Sequence, residues 1–253
     1  MPWDFPGRRM MLKEFKMDLH IHTCLSPCAE PEMLPGAIIE RAKSQNLDAV
    51  AICDHNSAEN VPAAKKAGEK HGVHVFGGME ICSSEEVHIL AFFDNDDALF
   101  EMQRIVYDNL LGENDETYFG SQQIADEYDS VVGSCKRLLI GSTTLSINEV
   151  VDSIHSLGGL AIASHIDRES FSIIGQLGLI PEAMTLDAVE LSSRCKDDEI
   201  AGFSDYGYQI VRSSDAHLLS DIGKAATRFV LREPVVSELS MAFRGVEGRK
   251  VKI

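Results

Sequence analysis

The sequence has no long hydrophobic run, and this absence limits what kind of protein it can be. None of its 253 residues belong to an apolar stretch of about 18, the length that a membrane-spanning helix needs. Residues 1–16 mix acidic and basic side chains and do not resemble a secretory signal. We therefore expect a cytoplasmic protein without a membrane partner.

Clusters of lysine and arginine are missing as well. The formal net charge is −17, and a chain this acidic repels phosphate backbones. Long nucleic acid is therefore disfavoured as a partner. Bound divalent cations would offset part of the negative charge locally, so the balance suits a metal site.

The sequence also lacks the C-x-x-C pairs and glycine-rich phosphate loops that mark several common classes of site. It contains 6 cysteines, which could form disulfides, although reduced thiols in a cytoplasm are the favoured interpretation. No dinucleotide-binding fingerprint occurs, so nucleotide cofactors are not indicated. Nothing in the sequence indicates an oligomeric state.

Short apolar segments alternate with helix-like segments along most of the chain. This order is typical of an α/β protein with a parallel sheet or barrel, which we expect to form a single domain over residues 1–253. A polar, irregular insertion at about 112–146 interrupts the alternation. It could be a lid, a structural hairpin or a dimer contact.

Histidines and carboxylates follow the apolar strands at the points where these strands end. Active sites of α/β folds are assembled at that edge, and imidazole and carboxylate suit Zn, Mn and Fe. A lone histidine beside a strand is more often structural, and we keep that interpretation for His71, His74 and His155. The remaining candidates occur as a set, with His88 inside a strand: His20, His22, Asp54, His55, Glu80, His88, His165, Asp215 and His217.

This ordered set resembles the PHP (polymerase and histidinol phosphatase) family, and the likeness runs through most of the chain. The matching segments are Asp18-Leu19-His20-Ile21-His22-Thr23, Cys53-Asp54-His55-Asn56, Gly78-Met79-Glu80-Ile81, His88-Ile89-Leu90, Ser164-His165 and Ser213-Ser214-Asp215-Ala216-His217. The resemblance implies a distorted (β/α)7 TIM-like barrel that holds two or three divalent metal ions (Zn, Mn or Fe) at its strand C-termini.

Carried over motif by motif, the resemblance also implies a grouping of the ligands. One ion would lie among His20, His22, Glu80 and Asp215; Glu80 would bridge to a second with His88 and His165; His55 and His217 would hold a third. The sequence departs from the family where an Asp or His usually follows the first motif. Cys28 stands in that stretch, where it either ligates through its thiolate, favouring zinc or iron, or is a small loop residue.

The resemblance implies a metal-dependent phosphoric ester hydrolase, and the chemistry of the residues agrees with it. Two ions bridged by a carboxylate can lower the pKa of a shared water and produce a metal-bridging hydroxide. We interpret Asp54 as a carboxylate that orients a ligand imidazole or, alternatively, moves a proton. Arg168, and with less support Arg194, would bind the phosphate through a guanidinium fork, unless each forms only surface ion pairs.

We expect the substrate to be a nucleotide or a phosphorylated metabolite. Histidinol-phosphatase-like or exonuclease-like activity is the alternative within the family. A non-catalytic metal-binding regulatory module and an amide hydrolase are the alternatives outside it.

Overall fold

A mixed β-sheet forms the framework of the protein, which the computed structural model describes over residues 11–253. The first ten residues, part of the N-terminal segment interpreted above, lie outside the described residues. The strands are β1 (Lys13–Ile21), β2 (Ala49–Ile52), β3 (His74–Cys82), β4 (His88–Phe93), β5 (Gln123–Ala125), β6 (Val131–Ser134), β7 (Leu160–Ala163), β8 (Ala188–Leu191), β9 (Ile210–Arg212), β10 (Thr227–Leu231) and β11 (Lys250–Lys252). Nine of them form one sheet in the order β11-β10-β1-β2-β3-β4-β7-β8-β9.

Seven of these strands, β1 to β4 and β7 to β9, curve into a nearly closed barrel. Closure occurs beyond β9, where Ile21 and Ala216 form a parallel bridge. The amide of His22 donates to the carbonyl of Ala216 at 3.0 Å, and the amide of Ala216 donates to the carbonyl of His20 at 3.2 Å. The expected α/β barrel is therefore confirmed, and its closure brings the first and last motifs of the sequence together.

The barrel departs from seven regular β/α units at β4. This strand pairs antiparallel with both β3 and β7, and no helix separates it from β3. Because β4 runs in the opposite direction, its first residue, His88, lies at the edge where the parallel strands end. His88 was expected inside a strand, and it is the first residue of β4. The exact count of seven β/α units is not confirmed.

Eight α-helices pack around this sheet. They are α1 (Pro35–Ser44), α2 (Val61–His71), α3 (Asp96–Asn109), α4 (Glu116–Phe119), α5 (Ile147–Ser156), α6 (Ile173–Leu177), α7 (Ile200–Phe203) and α8 (Val236–Phe243) among the described residues. A capping box is present at the start of α5, where the side chains of Ser146 and Glu149 each bond the other's backbone amide.

Alternation along the strands divides the apolar residues into two cores. Val50 and Ile52 of β2 face the helices, whereas Ala49 and Ala51 face the barrel interior. Helix α8 packs on the interior core and is tied to the end of β4 by a hydrogen bond from the Val236 amide to Asp94 Oδ1 at 2.6 Å. That end is opposite His88, so α8 covers the barrel end away from the histidines.

The insertion at 112–146 is an ordered structure that packs against the barrel. It contains α4 and the β5–β6 hairpin, and three buried side-chain amides hold it. The Asn56 amide donates to the carbonyls of Leu139 and Gly141, both at 2.8 Å, and the Asn60 amide donates to that of Gln123 at 3.1 Å. Gln122 bonds three backbone groups within the insertion itself. The insertion is therefore fixed in position relative to the strand ends.

Candidate metal centre

Six histidines and two carboxylates meet at one edge of the barrel, where the parallel strands end and β4 begins. Neighbouring imidazole rings are in contact through the cluster, with centroids 4.3 Å apart for His22 and His217 and 5.5 Å apart for His88 and His165. His217 is half-buried and the others are buried. Residues from strands far apart in sequence thus form a single group: His20, His22, His55, Glu80, His88, His165, Asp215 and His217.

Glu80, near the end of β3, lies at the centre of this group. Its Oε1 is 2.9 Å from His88 Nδ1 and 3.2 Å from His165 Nε2. Its Oε2 is 3.0 Å from His55 Nδ1 and 3.5 Å from His22 Nε2. The two oxygens therefore face different imidazoles, which is the arrangement expected of a carboxylate that bridges two sites.

Two residues outside the cluster fix which nitrogens of His20 and His22 carry protons. Glu190 Oε2 lies 2.9 Å from His20 Nδ1, and an ionised carboxylate can only accept, so His20 donates from Nδ1. The Ser26 hydroxyl donates to Asp54 Oδ1 at 2.7 Å, which leaves its oxygen to accept from His22 Nδ1 at 3.0 Å. In its neutral form, each histidine consequently directs an unprotonated Nε2 into the cluster.

The spacing of the inward atoms fits a divalent ion. His20 Nε2 and His22 Nε2 are only 3.1 Å apart, a distance that either a shared proton or a bound metal ion between the two nitrogens accounts for. Asp215 Oδ1 is 3.1 Å from His22 Nε2 and 3.4 Å from His20 Nε2. Ligands about 2.0–2.1 Å from a tetrahedral ion are separated by about 3.3 Å, close to these distances. The donor set and its spacing therefore suit Zn and similar metals.

His55 takes a more central position than the grouping implied by the family resemblance gives it. Its ligand atom lies within 4.8 Å of those of Glu80 and His88 in one group, and of those of His22 and His217 in another. His55 therefore adjoins both the second and the third expected sites.

The thiol of Cys28 lies beside the imidazoles of His55 and His217 at the open side of the cluster. Burial opposes its ionisation, but His55 and His217 outweigh that effect and lower the pKa of Cys28 to about 6. A thiolate at this position could complete a ligand set with the two histidines. Ligation by Cys28 stays a prediction.

The imidazoles of the cluster lower the pKa values of its two carboxylates. Burial raises the pKa of the Glu80 carboxyl, but His88, His20 and His55 outweigh it and hold that pKa well below its usual value. Burial likewise opposes ionisation of Asp215, whereas His20 and His22 lower its pKa to well below the usual range. Both carboxylates are therefore negative at neutral pH, as ligands of a divalent ion must be.

Asp54 is buried at the end of β2, but the direct contact that we expected between this carboxylate and an imidazole is not made. Its oxygens accept from the amide and hydroxyl of Thr23 and from the hydroxyl of Ser26, each at 2.7 Å. Asp54 reaches His22 only through Ser26. A single serine therefore connects the Asp54 carboxylate to the cluster.

Arg168 reaches the cluster, whereas Arg194 lies farther out. Arg168 forms an ion pair with Asp215 Oδ2 at 2.6 Å rather than with the adjacent Asp167 or Glu169. Its Nε is buried and has no hydrogen-bond partner within residues 11–253. Arg194 is exposed and lines two clefts that adjoin the cluster, and Arg168 lines both as well.

The sequence interpretation missed two residues that hold the histidines in place. Glu190 carried a signal, because it is an acidic residue inside the otherwise apolar strand β8. Ser26 carried none, since a serine in a loop is common and its role depends on the approach of Asp54. The cavity beside the cluster is also lined by Ile140 and Phe171, which the sequence did not mark.

Comparisons with known families cover most of the chain. A family model described as PHP domain matches residues 18–180, and one described as PHP-associated matches residues 202–245. Asp215 and His217 lie in the second match and the other cluster residues in the first. The candidate metal centre therefore contains residues from both matched segments.

Among curated proteins, the chain is 33% identical over 93 residues to a DNA polymerase III PolC-type of Oceanobacillus iheyensis, covering 37% of this chain and 6% of the polymerase. It is 23% identical over 190 residues to a 5'-3' exoribonuclease of Haemophilus influenzae, covering 59% of this chain and 68% of that protein. The chain thus spans only a small part of the polymerase that it matches.

Among solved structures, the lesion-specific endonuclease Q of Pyrococcus furiosus has a similar fold, with a TM-score of 0.68 and 21% identity. The match covers 94% of this chain and 58% of that one. A second structure, of endonuclease Q with a 27-mer duplex that carries an abasic lesion at its active site, gives a TM-score of 0.66. At this identity the likeness concerns the fold.

The DNA complex contradicts the expectation that long nucleic acid is disfavoured as a partner. That expectation used the net charge of the whole chain, whereas binding depends on the potential near the site. One cleft beside the cluster is lined by Arg168, Arg194 and Lys224 together with Glu30, Asp215 and Asp221, so the charge there is far more balanced than that of the whole chain. Within residues 11–253, no helix has the length and apolar character needed to cross a membrane.

Proposed function

The chain belongs to the PHP domain family, a family of metal-dependent phosphoesterases, and from that membership we propose that it hydrolyses a phosphate ester at the histidine cluster. The family resemblance read from the motifs is thereby confirmed, and with it the expectation of a hydrolase of this class. The observation that supports the proposal most is the spacing of the inward-facing atoms of His20, His22 and Asp215.

We assign the ligand roles as the motifs suggest them. His20, His22, Glu80 and Asp215 would hold one ion, Glu80 would share a second with His88 and His165, and His55 and His217 would hold a third, with Cys28 as the remaining candidate ligand. Divalent ions bound here would polarise a phosphoryl oxygen and lower the pKa of a bound water. Zn, Mn and Fe all suit this donor set.

The protein's own residues would orient the ligands and bind the substrate. Glu190 and Ser26 hold His20 and His22 in the tautomers that present Nε2. The guanidinium of Arg168 already lies against Asp215. Its remaining N–H groups would donate hydrogen bonds to the phosphate oxygens and balance their negative charge. Arg194 would contact a part of the substrate that extends into the adjoining clefts.

The proposed substrate is a small phosphate ester, either a nucleotide or a phosphorylated metabolite. The second candidate is a nuclease activity. One observation favours it: two clefts continue from the cluster past Arg168 and Arg194, so a substrate longer than one phosphate has a path along the surface. The similarity to an exoribonuclease supports the same candidate.

Metal content and turnover together test the proposed function. The protein would be purified without chelators, its Zn, Mn and Fe quantified, and its activity measured against phosphate monoesters, diesters and short oligonucleotides. We expect two or three ions per chain and release of phosphate or nucleotides from at least one substrate class. His22→Ala should remove turnover and lower metal content while the circular dichroism spectrum is unchanged.

His71→Ala is the matched control, because His71 lies at the end of α2 outside the cluster. Bound ions without cleavage of any phosphoester would refute the proposed activity. Turnover that survives His22→Ala would refute the assignment of this cluster as the active site.

A further inference from the structure

Two large apolar side chains line an otherwise polar cavity of about 210 Å³ beside the candidate metal centre. Phe171 lies between β7 and α6 and is 42% exposed, and Ile140 lies in the insertion and is 40% exposed. Both line the cavity together with Glu80, His165 and Arg168. Leaving such side chains in water forgoes the stabilisation that burial would give, so their position needs a physical reason.

The backbone at Phe171 is strained, and several contacts hold it there. Its φ is 57°, a left-handed conformation that is rarely adopted by a bulky residue. The carbonyl of Phe171 accepts from the His88 amide at 3.0 Å, and the next residue, Ser172, donates its hydroxyl to the carbonyl of Arg168 at 2.6 Å. Strain of this kind is concentrated at ligand-binding and active sites.

The ring of Phe171 is oriented as a flat surface next to the metal centre. It stacks on the imidazole of His88 with 4.8 Å between centroids and 25° between planes. One face of the ring is thus occupied by His88, and the side chain lines both the cavity and the adjoining cleft. Because these contacts already hold the ring in place, a ligand that stacks on it would cost the ring little conformational entropy.

Ile140 is also held rigidly. The buried Asn56 amide donates to the carbonyls of Leu139 and Gly141, the residues on either side of Ile140, and its oxygen accepts from the Cys82 amide at 3.1 Å. Asn56 directly follows His55 in the sequence. A residue adjacent to a cluster histidine therefore also positions the apolar side chain of Ile140, which lines the cavity.

We propose that Phe171 and Ile140 form a binding site for the nucleobase of a nucleotide whose phosphate lies at the metal centre. This inference rests on the proposed function and narrows its substrate to esters that contain a nucleoside. A nucleobase has a π-face that stacks on an aromatic ring and an apolar surface that packs on isoleucine. A sugar phosphate has no π-face, so an exposed aromatic ring would give it a weaker contact.

Binding of phosphonate analogues tests the base site without requiring turnover. Isothermal titration calorimetry on the metal-loaded protein would compare the phosphonates of AMP and of ribose 5-phosphate, whose P–C bond resists hydrolysis. Base stacking predicts that the AMP analogue binds about 10- to 100-fold more tightly. In Phe171→Leu and Phe171→Asn this preference should fall to within about 3-fold, with unchanged affinity for the ribose analogue.

The Phe171→Asn variant also separates ligand binding from packing, because asparagine tolerates a positive φ. Its melting temperature should equal or exceed that of the wild type, and a lower one would assign Phe171 to packing and overturn the proposal. Phe119→Leu is the matched control, since Phe119 is similarly exposed, at 44%, and lies in α4. It should leave both affinities unchanged.

The outcomes distinguish the base site from the proposed function on which it rests. Equal binding of the two analogues to the wild type, or equal losses for both in Phe171→Leu, would overturn only the base site. Binding of neither analogue, together with no cleavage of any ester, would overturn both. The nucleobase could belong to a free mononucleotide or to the terminal nucleotide of a longer chain. A parallel measurement with a short oligonucleotide that carries a terminal phosphate separates the two. Tighter binding of the oligonucleotide than of the AMP analogue would indicate the end of a chain, and weaker binding would indicate a free mononucleotide.

Discussion

Replacing Glu190 with glutamine should weaken metal binding more than it weakens the fold. Glu190 is buried in β8, and its Oε2 accepts hydrogen bonds from His20 Nδ1 at 2.9 Å and from the His165 amide at 3.1 Å. The charge of this carboxylate holds His20 in the tautomer that directs Nε2 into the cluster. Glutamine has nearly the same shape but no charge, and its NH₂ group can stabilise the opposite tautomer.

The size of the effect follows from the difference between two kinds of hydrogen bond. A bond to a charged group contributes about 1.5–3 kcal/mol and a neutral one about 0.5–1.5 kcal/mol. Replacing the charged bond by a neutral one therefore costs about 1.4 kcal/mol, which corresponds to a factor of about ten in metal affinity. Changes of residues that orient metal ligands typically cost about 10- to 100-fold in metal affinity, which agrees with this figure.

The assay is competition for Zn²⁺ between the apo-protein and a chromophoric chelator, with chemical denaturation of the metal-free protein as a second readout. Asp187→Asn is the matched control. Asp187 precedes β8 by one residue, and its Oδ2 lies 2.9 Å from His155 Nε2. The Asp187→Asn substitution therefore removes an equivalent carboxylate–imidazole pair outside the metal cluster. It should lower stability without changing the affinity for Zn²⁺.

Two results would refute this reasoning. An affinity of Glu190→Gln within about 2-fold of the wild type would mean that Glu190 does not set the tautomer of His20. Equal losses of metal affinity in Glu190→Gln and Asp187→Asn would mean that both act through general destabilisation rather than through the ligand.

Three further predictions concern single residues. Cobalt bound to the wild type should show a thiolate-to-metal absorption band that Cys28→Ser lacks, because the low pKa of Cys28, about 6, leaves it ionised at neutral pH; a band-free wild type would contradict ligation. Arg168→Lys should raise KM for the phosphate ester about 10-fold, since lysine lacks the bidentate fork, and an unchanged KM would contradict phosphate binding. The hydrogen bond to Asp187 raises the pKa of His155, so its stabilisation is present below the unfolded pKa of about 6.5 and is lost as pH rises through the folded value. His155→Gln should therefore lower the melting temperature at pH 5.5 and have little effect at pH 9, and equal effects at both would contradict an ionised pair.

The sequence by itself determined the fold class and the candidate ligands. Buried strands such as β2 and β7 contain only apolar residues, and helical segments separate most of them, so the α/β barrel followed from the pattern. The motifs around His20, Glu80 and Asp215 were recognisable because a ligand set requires specific residue types at fixed spacing along a strand. Local pattern was sufficient for these features.

Only the tertiary structure decided how those residues meet and what surrounds them. Antiparallel pairing of β4 moves His88 to the ligand edge, and closure of the barrel at Ala216 brings Asp215 against His22, 193 residues earlier in the chain. Glu190 and Phe171 take their roles from contacts across the barrel edge, which no local period encodes. Net charge was a poor guide to nucleic-acid binding for the same reason: it sums over the whole chain, whereas a ligand responds to the few side chains that folding places within its reach.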